Sequence, residues 1–73
     1  MKKEQKQLLL EHLANSIKKR RLQLNISQEK LAEKCGFDRT YISMLERAKR
    51  NPSFLNLVKL SKGLELKLNE LLS

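Results

Sequence analysis

Apolar residues recur along this chain at steps of three and four, the spacing of one helix face. No stretch shows the strict alternation of a half-buried strand. Leu10, Leu13, Ala14, Ile17, Arg21 and Leu24 form one such stripe and predict a first helix over about residues 6–24. Asn25 follows, a residue that tolerates the left-handed conformation in which helices end. Ser27 is placed to cap a second helix, with Glu29 facing the positive end of its dipole and Leu31, Ala32 and Cys35 on its inner face. Gly36 ends that helix, free to take the positive φ of a tight turn. Asp38 is the predicted cap of a third helix over about residues 39–47, with Ile42 and Leu45 pointing inward.

Lys49-Arg50-Asn51-Pro52 then reads as a basic loop, because Pro52 keeps its predecessor out of the helical region. Ser53 caps a fourth helix carrying Leu57, Leu60, Ser61 and Leu64. A turn near Glu65 leads into a short fifth helix with Leu68, Leu71 and Leu72. The expected fold is therefore all-α, with five helices. Residues 1–7 are expected to form a basic tail or an extension of the first helix, and residues 8–73 a single domain.

Composition narrows the class. A chain of 73 residues has a small core, so a partner chain is an expected source of stability. Cys35 is alone, which excludes an internal disulfide, and no Cys and His cluster offers metal ligands. The 16 Lys and Arg against 8 Asp and Glu give a net charge of +8, which favours an anionic partner. No apolar run approaches the roughly 18 residues of a spanning helix, and Leu8-Leu9-Leu10 is too short for a signal-peptide core. These features point to a cytoplasmic protein that does not enter membranes. No nucleophile arrangement, metal set or phosphate-cradling Gly loop is present, so neither an enzyme nor a cofactor is expected.

Residues 27–47 carry the most information. Two short helices joined at Gly36 form a helix-turn-helix, whose second helix enters the major groove in DNA readers. By helical arithmetic Arg39, Ser43 and Arg47, with Thr40 and Met44, share the face opposite Ile42 and Leu45.

With these residues in place, the chain resembles the phage repressor and Cro family of five-helix DNA-binding domains. The likeness stands on Ile17, Arg21, Ser27-Gln28, Leu31-Ala32, Gly36, Ile42-Ser43, Glu46, Pro52, Leu57, Leu60, Leu64 and Leu71, and runs from about Leu13 to Leu72. Within that family, Asp38-Arg39-Thr40-Tyr41-Ile42-Ser43 with Glu46-Arg47 and Arg50-Asn51 is similar to the controller proteins of restriction–modification systems. The chain departs from the family where Asn25, Ala48 and Glu65 stand in place of frequent glycines, so the resemblance does not fix the path of the basic loop or of the last turn. The resemblance further implies that Arg21 and Glu46 form an ion pair tying the first helix to the third.

Candidate contacts follow. Arg39 can fork two donors onto guanine N7 and O6. Thr40 can offer its methyl to thymine or its hydroxyl to a base edge, Ser43 can reach a base or a phosphate, and Met44 suits a thymine methyl. Tyr41, Arg47, Lys49, Arg50, Asn51 and Gln28 are the expected backbone contacts, with Tyr41 also packing at the core edge. The plainer alternative for Gln28, Arg47, Lys49, Arg50 and Asn51 is a solvated basic rim; for Arg39 it is a solvated or phosphate-contacting Arg, for Thr40 helix-start filling, for Ser43 a small residue that lets the helix approach, and for Met44 an exposed side chain without a role. Lys18-Lys19-Arg20-Arg21 is expected to be a solvated face with only Arg21 turned inward, Cys35 a small buried hydrophobe, and His12 without a chemical role.

The expected function is sequence-specific transcription regulation by a homodimer on double-stranded DNA with an inverted-repeat operator. Leu66, Leu68 and Leu72 are the expected dimer surface. RNA polymerase is a further candidate partner, with Glu29, Glu33 and Asp38 the acidic residues available to it. Two alternatives stand beside this reading: a Cro-like phage switch protein, and an antitoxin that regulates its own operon.

Overall fold

The computed structural model describes residues 2–73. Five helices follow one another: α1 (Lys3–Gln23), α2 (Gln28–Cys35), α3 (Arg39–Glu46), α4 (Phe54–Gly63) and α5 (Leu68–Leu72). Helix α3 packs against both α1 and α2, α4 packs against α2 and α5, and α1 closes onto α5. Ile17, Leu31, Ile42, Leu45, Leu60, Leu64 and Leu71 are fully buried and supply every helix's inward residue. Each such side chain removed from water stabilises the fold by about 1.5–3 kcal/mol before entropy is counted.

Helix α1 starts earlier than the apolar stripe predicts. Its first turn is held locally, with the Lys2 amide donating to Gln5 Oε1 at 3.1 Å and the Lys6 amide to the Lys2 carbonyl at 3.1 Å. Residues 2–9 are all exposed, so this extension leaves no hydrophobic signature to be read. Ser27 and Ser53 cap α2 and α4 through their hydroxyls, accepting from the Lys30 and Asn56 amides at 3.0 and 3.1 Å. Asp38 sits at the cap of α3, but its carboxylate makes no capping bond. Tyr41 and Ile42 donate to its backbone carbonyl instead, at 3.1 and 3.4 Å.

The first four helices all end in the same way. One residue in each turn is left-handed: Asn25 (φ 57°), Gly36 (φ 78°), Ala48 (φ 58°) and Glu65 (φ 57°). Its amide and the next one then bond back across the last turn, the paired pattern of the Schellman motif. The second of those bonds runs from Ile26 to Arg21, Phe37 to Ala32, Lys49 to Met44 and Leu66 to Ser61, at 2.8–3.2 Å. So the positions where the chain departs from the family's glycines keep the glycine-like conformation. In three of the four turns that second residue is apolar and packs on the core: Ile26, Phe37 and Leu66. Leu66, expected in a dimer surface, is half-buried and packs against the core of its own protomer. The turn at Glu65 swings it inward.

The run Lys18-Lys19-Arg20-Arg21 also divides differently from expectation. Lys18 and Lys19 are exposed and Arg21 is buried, but Arg20 is half-buried as well. Arg20 Nε donates to the Leu64 carbonyl at 2.9 Å and Nη2 to the Glu65 carbonyl at 3.4 Å, so it caps the end of α4. Lys34 Nζ reaches Glu65 Oε2 at 2.8 Å across the same corner and lowers the pKa of that carboxylate by hydrogen bonding to it. Cys35 is buried against Gly63, where any Cβ would overlap its sulfur, and burial raises the pKa of the thiol. His12 Nε2 lies 2.9 Å from the Ser73 carbonyl. No helix among the described residues is long and apolar enough to cross a membrane.

A Cβ at Gly36 would meet nothing within 4 Å, so only its left-handed backbone demands glycine. Gly36→Ala is therefore expected to destabilise the protein by about 1–2 kcal/mol, read from the urea midpoint. An unchanged midpoint would show that this turn carries no conformational strain.

Candidate nucleic-acid interface

Helix α3 is set in place by charge as well as by apolar packing. The Arg21 guanidinium, on the inner face of α1, meets Glu46 at the end of α3 in a fork. Nε donates to Oε2 at 2.7 Å and Nη2 to Oε1 at 3.0 Å. Both side chains are nearly enclosed, at 10% and 3% exposure. Nη1 donates to the Ile26 carbonyl at 2.9 Å, and Gln28 Nε2 adds a bond to Glu46 Oε1 at 3.1 Å. Its hydrogen bonds to the Glu46 carboxylate raise the Arg21 pKa, so the guanidinium stays charged. No buried side-chain polar atom among the described residues lacks a partner. One network thus joins α1, the turn after it, the start of α2 and the end of α3.

The outer face of α3 is open. Arg39 and Thr40 are exposed in its first turn, and Ser43 and Met44 are half-buried one turn later. Thr40, Tyr41 and Met44 border a shallow hollow completed by Gly36–Asp38, Arg50 and Asn56. Tyr41 is the organising residue of that hollow. Its ring meets Phe37 edge-on, with centroids 4.8 Å apart, and the Arg50 guanidinium lies 5.0 Å over its face. Asn56 Nδ2 donates to the Tyr41 hydroxyl at 3.0 Å. That bond uses the phenol as acceptor and leaves its own proton free to be donated outward.

Other candidate residues are distributed unevenly. Lys49, Arg50 and Asn51 are exposed in the loop after α3. Arg47 is exposed too, but its Nε folds back to the Ser43 carbonyl at 3.3 Å, leaving the terminal nitrogens outward. Gln28 is half-buried, with its amide nitrogen engaged by Glu46, so the donor expected to face outward is turned inward. Leu68 is half-buried and Leu72 is 50% exposed, away from α3. Among the described residues no group of three or more His, Cys, Asp or Glu side chains could hold a metal ion.

Sequence reasoning missed Asn56 and Phe37. Asn56 is a polar residue set among Leu55, Leu57 and Val58, an interruption that marks a side chain with a specific partner. Phe37 carries a weaker signal, as the apolar residue directly after the turn glycine.

A helix-turn-helix family model matches residues 17–71, the span from the middle of α1 through α5. The control protein C.MunI of Mycoplasma sp is 47% identical over 60 residues, covering 81% of this chain and 81% of that protein. The crystal structure of the restriction–modification controller protein C.AhdI from Aeromonas hydrophila superposes with a TM-score of 0.82 at 35% identity, over 85% of this chain and 94% of that one. The chain belongs to the helix-turn-helix family of restriction–modification controller proteins. A structure of the controller C.Esp1396I as a tetramer on its natural 35 base-pair operator matches with a TM-score of 0.78 and 40% identity. That match covers 89% of this chain and 96% of the controller.

Removing Glu46 would leave the Arg21 cation buried and unmatched. Glu46→Ala is expected to cost about 3–5 kcal/mol of stability, while Arg21→Met combined with Glu46→Met recovers much of that loss. Denaturant titration of the single and double variants checks this. A double variant no more stable than Glu46→Ala would show that the loss comes from something other than the stranded charge.

Proposed function

We propose that this controller binds an inverted-repeat DNA operator as a homodimer and regulates transcription through it. The single observation that carries the reading is the open outer face of α3, with Arg39 and Thr40 exposed in its first turn and the helix anchored from behind by the Arg21–Glu46 fork. Such a helix can lie in the major groove with its first turn at the base edges. In this reading Arg39 donates twice to a guanine, and Thr40, Ser43 and Met44 contact the neighbouring bases. Tyr41 directs its free hydroxyl proton at a phosphate, a donor role supported by the Asn56 bond. Arg47, Lys49, Arg50 and Asn51 hold the backbone on either side and set the register. Gln28 keeps only its remaining amide proton for such a contact.

The dimer surface is placed on α4 and α5, where Phe54, Leu55 and Leu72 stand 71%, 62% and 50% exposed. Leu68 belongs at its edge. Phe54 and Leu55 open α4 and were not foreseen, because the residues flanking a cap are usually polar. Two-fold symmetry then requires half-sites about one helical turn apart, or a multiple of that. Regulation of a linked restriction gene, and contact with RNA polymerase, extend the reading by likeness to the controllers; Glu29, Glu33 and Asp38 are all exposed and available to a polymerase.

Selection of bound sequences from a random duplex pool at near-physiological salt tests this. Recovery of an inverted repeat with half-sites about one turn apart is the expected result. Recovery of no motif, with binding that vanishes as salt rises, would leave only non-specific attraction. Arg39→Ala is expected to weaken the recovered site by about 1–3 kcal/mol while barely changing binding to random duplex. An equal loss on both would move Arg39 to the backbone. Arg50→Ala should weaken both duplexes alike and flatten the dependence of affinity on salt.

A further inference from the structure

We propose that the overhanging start of α1 and the loop after α3 form one basic groove that grips the phosphates of duplex DNA beyond the bases α3 reads. The inference rests on the DNA-binding reading above and extends its contact surface to residues outside the helix-turn-helix.

The inner face of α1 is the first observation. Ile17, Ala14 and Leu10 lie on one stripe, and the same three- and four-residue steps continue it through Gln7 and Lys6 to Lys3. Where the stripe covers the core it is apolar. Where the helix overhangs the core it turns basic, and every residue from 2 to 9 is exposed. That stretch is exposed, and two of its lysines, Lys3 and Lys6, stand beside another part of the protein. They line a groove of about 610 Å³ whose far side is Ala48, Lys49, Arg50 and Asn51.

The second observation is how Lys49 comes to be there. It occupies the turn position that Ile26, Phe37 and Leu66 fill in the other three turns by packing on the core. A lysine there cannot take that place. Ala48 in the left-handed conformation, with the Lys49 amide bonded to Met44, fixes the loop so that the side chain joins the groove.

The charge is uncompensated. Lys3, Lys6, Lys49 and Arg50 line the groove with Glu4 as its only carboxylate, an excess of 4 − 1 = 3 positive charges. Among the described residues none of the four cations is in an ion pair. Cations held around one groove repel each other, and a polyanion along it relieves that repulsion. Arg50 identifies which polyanion, because it also borders the hollow beside α3. The groove therefore begins where the reading face ends, as a duplex running across that face would require.

The test compares Lys3→Gln/Lys6→Gln with Lys18→Gln/Lys19→Gln, which removes the same charge from exposed α1 positions outside the groove. Both pairs are exposed, so thermal midpoints are expected to match the parent. The probe is a random-sequence duplex about four helical turns long, titrated at several salt concentrations. A lysine on phosphate contributes about 0.9 to the slope of log affinity against log salt. The groove variant is expected to lose close to twice that per protomer and to bind several-fold more weakly at the lowest salt, with the control losing clearly less. A slope change no larger than the control's would overturn the groove while leaving the operator-binding reading intact. Failure of the parent protein to bind any duplex would overturn both.

Discussion

The outer face of α3 is held in place by a buried charge. The Arg21–Glu46 fork costs desolvation on both sides, and an apolar pair of similar volume would be at least as stable in isolation. What it supplies is direction. A guanidinium held by two bonds to one carboxylate and a third to the Ile26 carbonyl has one geometry. Apolar contacts between α1 and α3 would allow the helices to slide or roll by fractions of a turn. The fork removes that freedom at the end of α3 nearest the basic loop, and Gln28 couples the start of α2 to the same point. The two halves of the helix-turn-helix are therefore keyed to α1 as one body. In the proposed DNA reading, an Arg39 displaced by an ångström would miss the fork geometry that a guanine edge demands.

A second principle governs the surface beside α3. The protein arranges polar groups there in pairs that leave one capacity unused. Asn56 donates to Tyr41 and so frees the phenolic proton. Arg50 rests over the Tyr41 ring and pairs with no carboxylate among the described residues. Arg47 spends one nitrogen on its own helix and keeps the others. Long flexible side chains lose entropy when a ligand orders them. Partial restraint before binding lowers that loss without consuming the donors that binding uses.

The sequence made much of this legible, and the reasons are specific. The five helices follow from apolar spacing, from Ser27 and Ser53 as caps, and from Gly36 and Pro52 as breaks. The outer face of α3 follows from the inward positions of Ile42 and Leu45. The fork was implied by resemblance, and the placement of Arg21 on an apolar stripe agrees with it. What stayed hidden depends on contacts distant in the chain or on local capping. Asn56 is 15 residues from Tyr41, and Arg20 reaches a carbonyl 44 residues away. The first turns of α1 are helical without burying anything, so no periodicity announces them. The core contact of Leu66 is hidden because helical arithmetic stops at a turn, where the left-handed residue at 65 redirects the next side chain.

The repeated turn has one further consequence. In three of its four occurrences a core contact accompanies the backbone bonds, and the residue after the left-handed one cannot change freely. At Lys49 the backbone bonds close the turn without a core contact from that side chain, while Ala48 before it is buried. The path of the loop is thus written in main-chain geometry, and side chains 49–51 stand on it as exchangeable parts. Substitution there alters what the loop touches without moving where it runs. If the loop lies on DNA as proposed, residues 49–51 could be exchanged to change what it meets there while α3 and the core stay as they are.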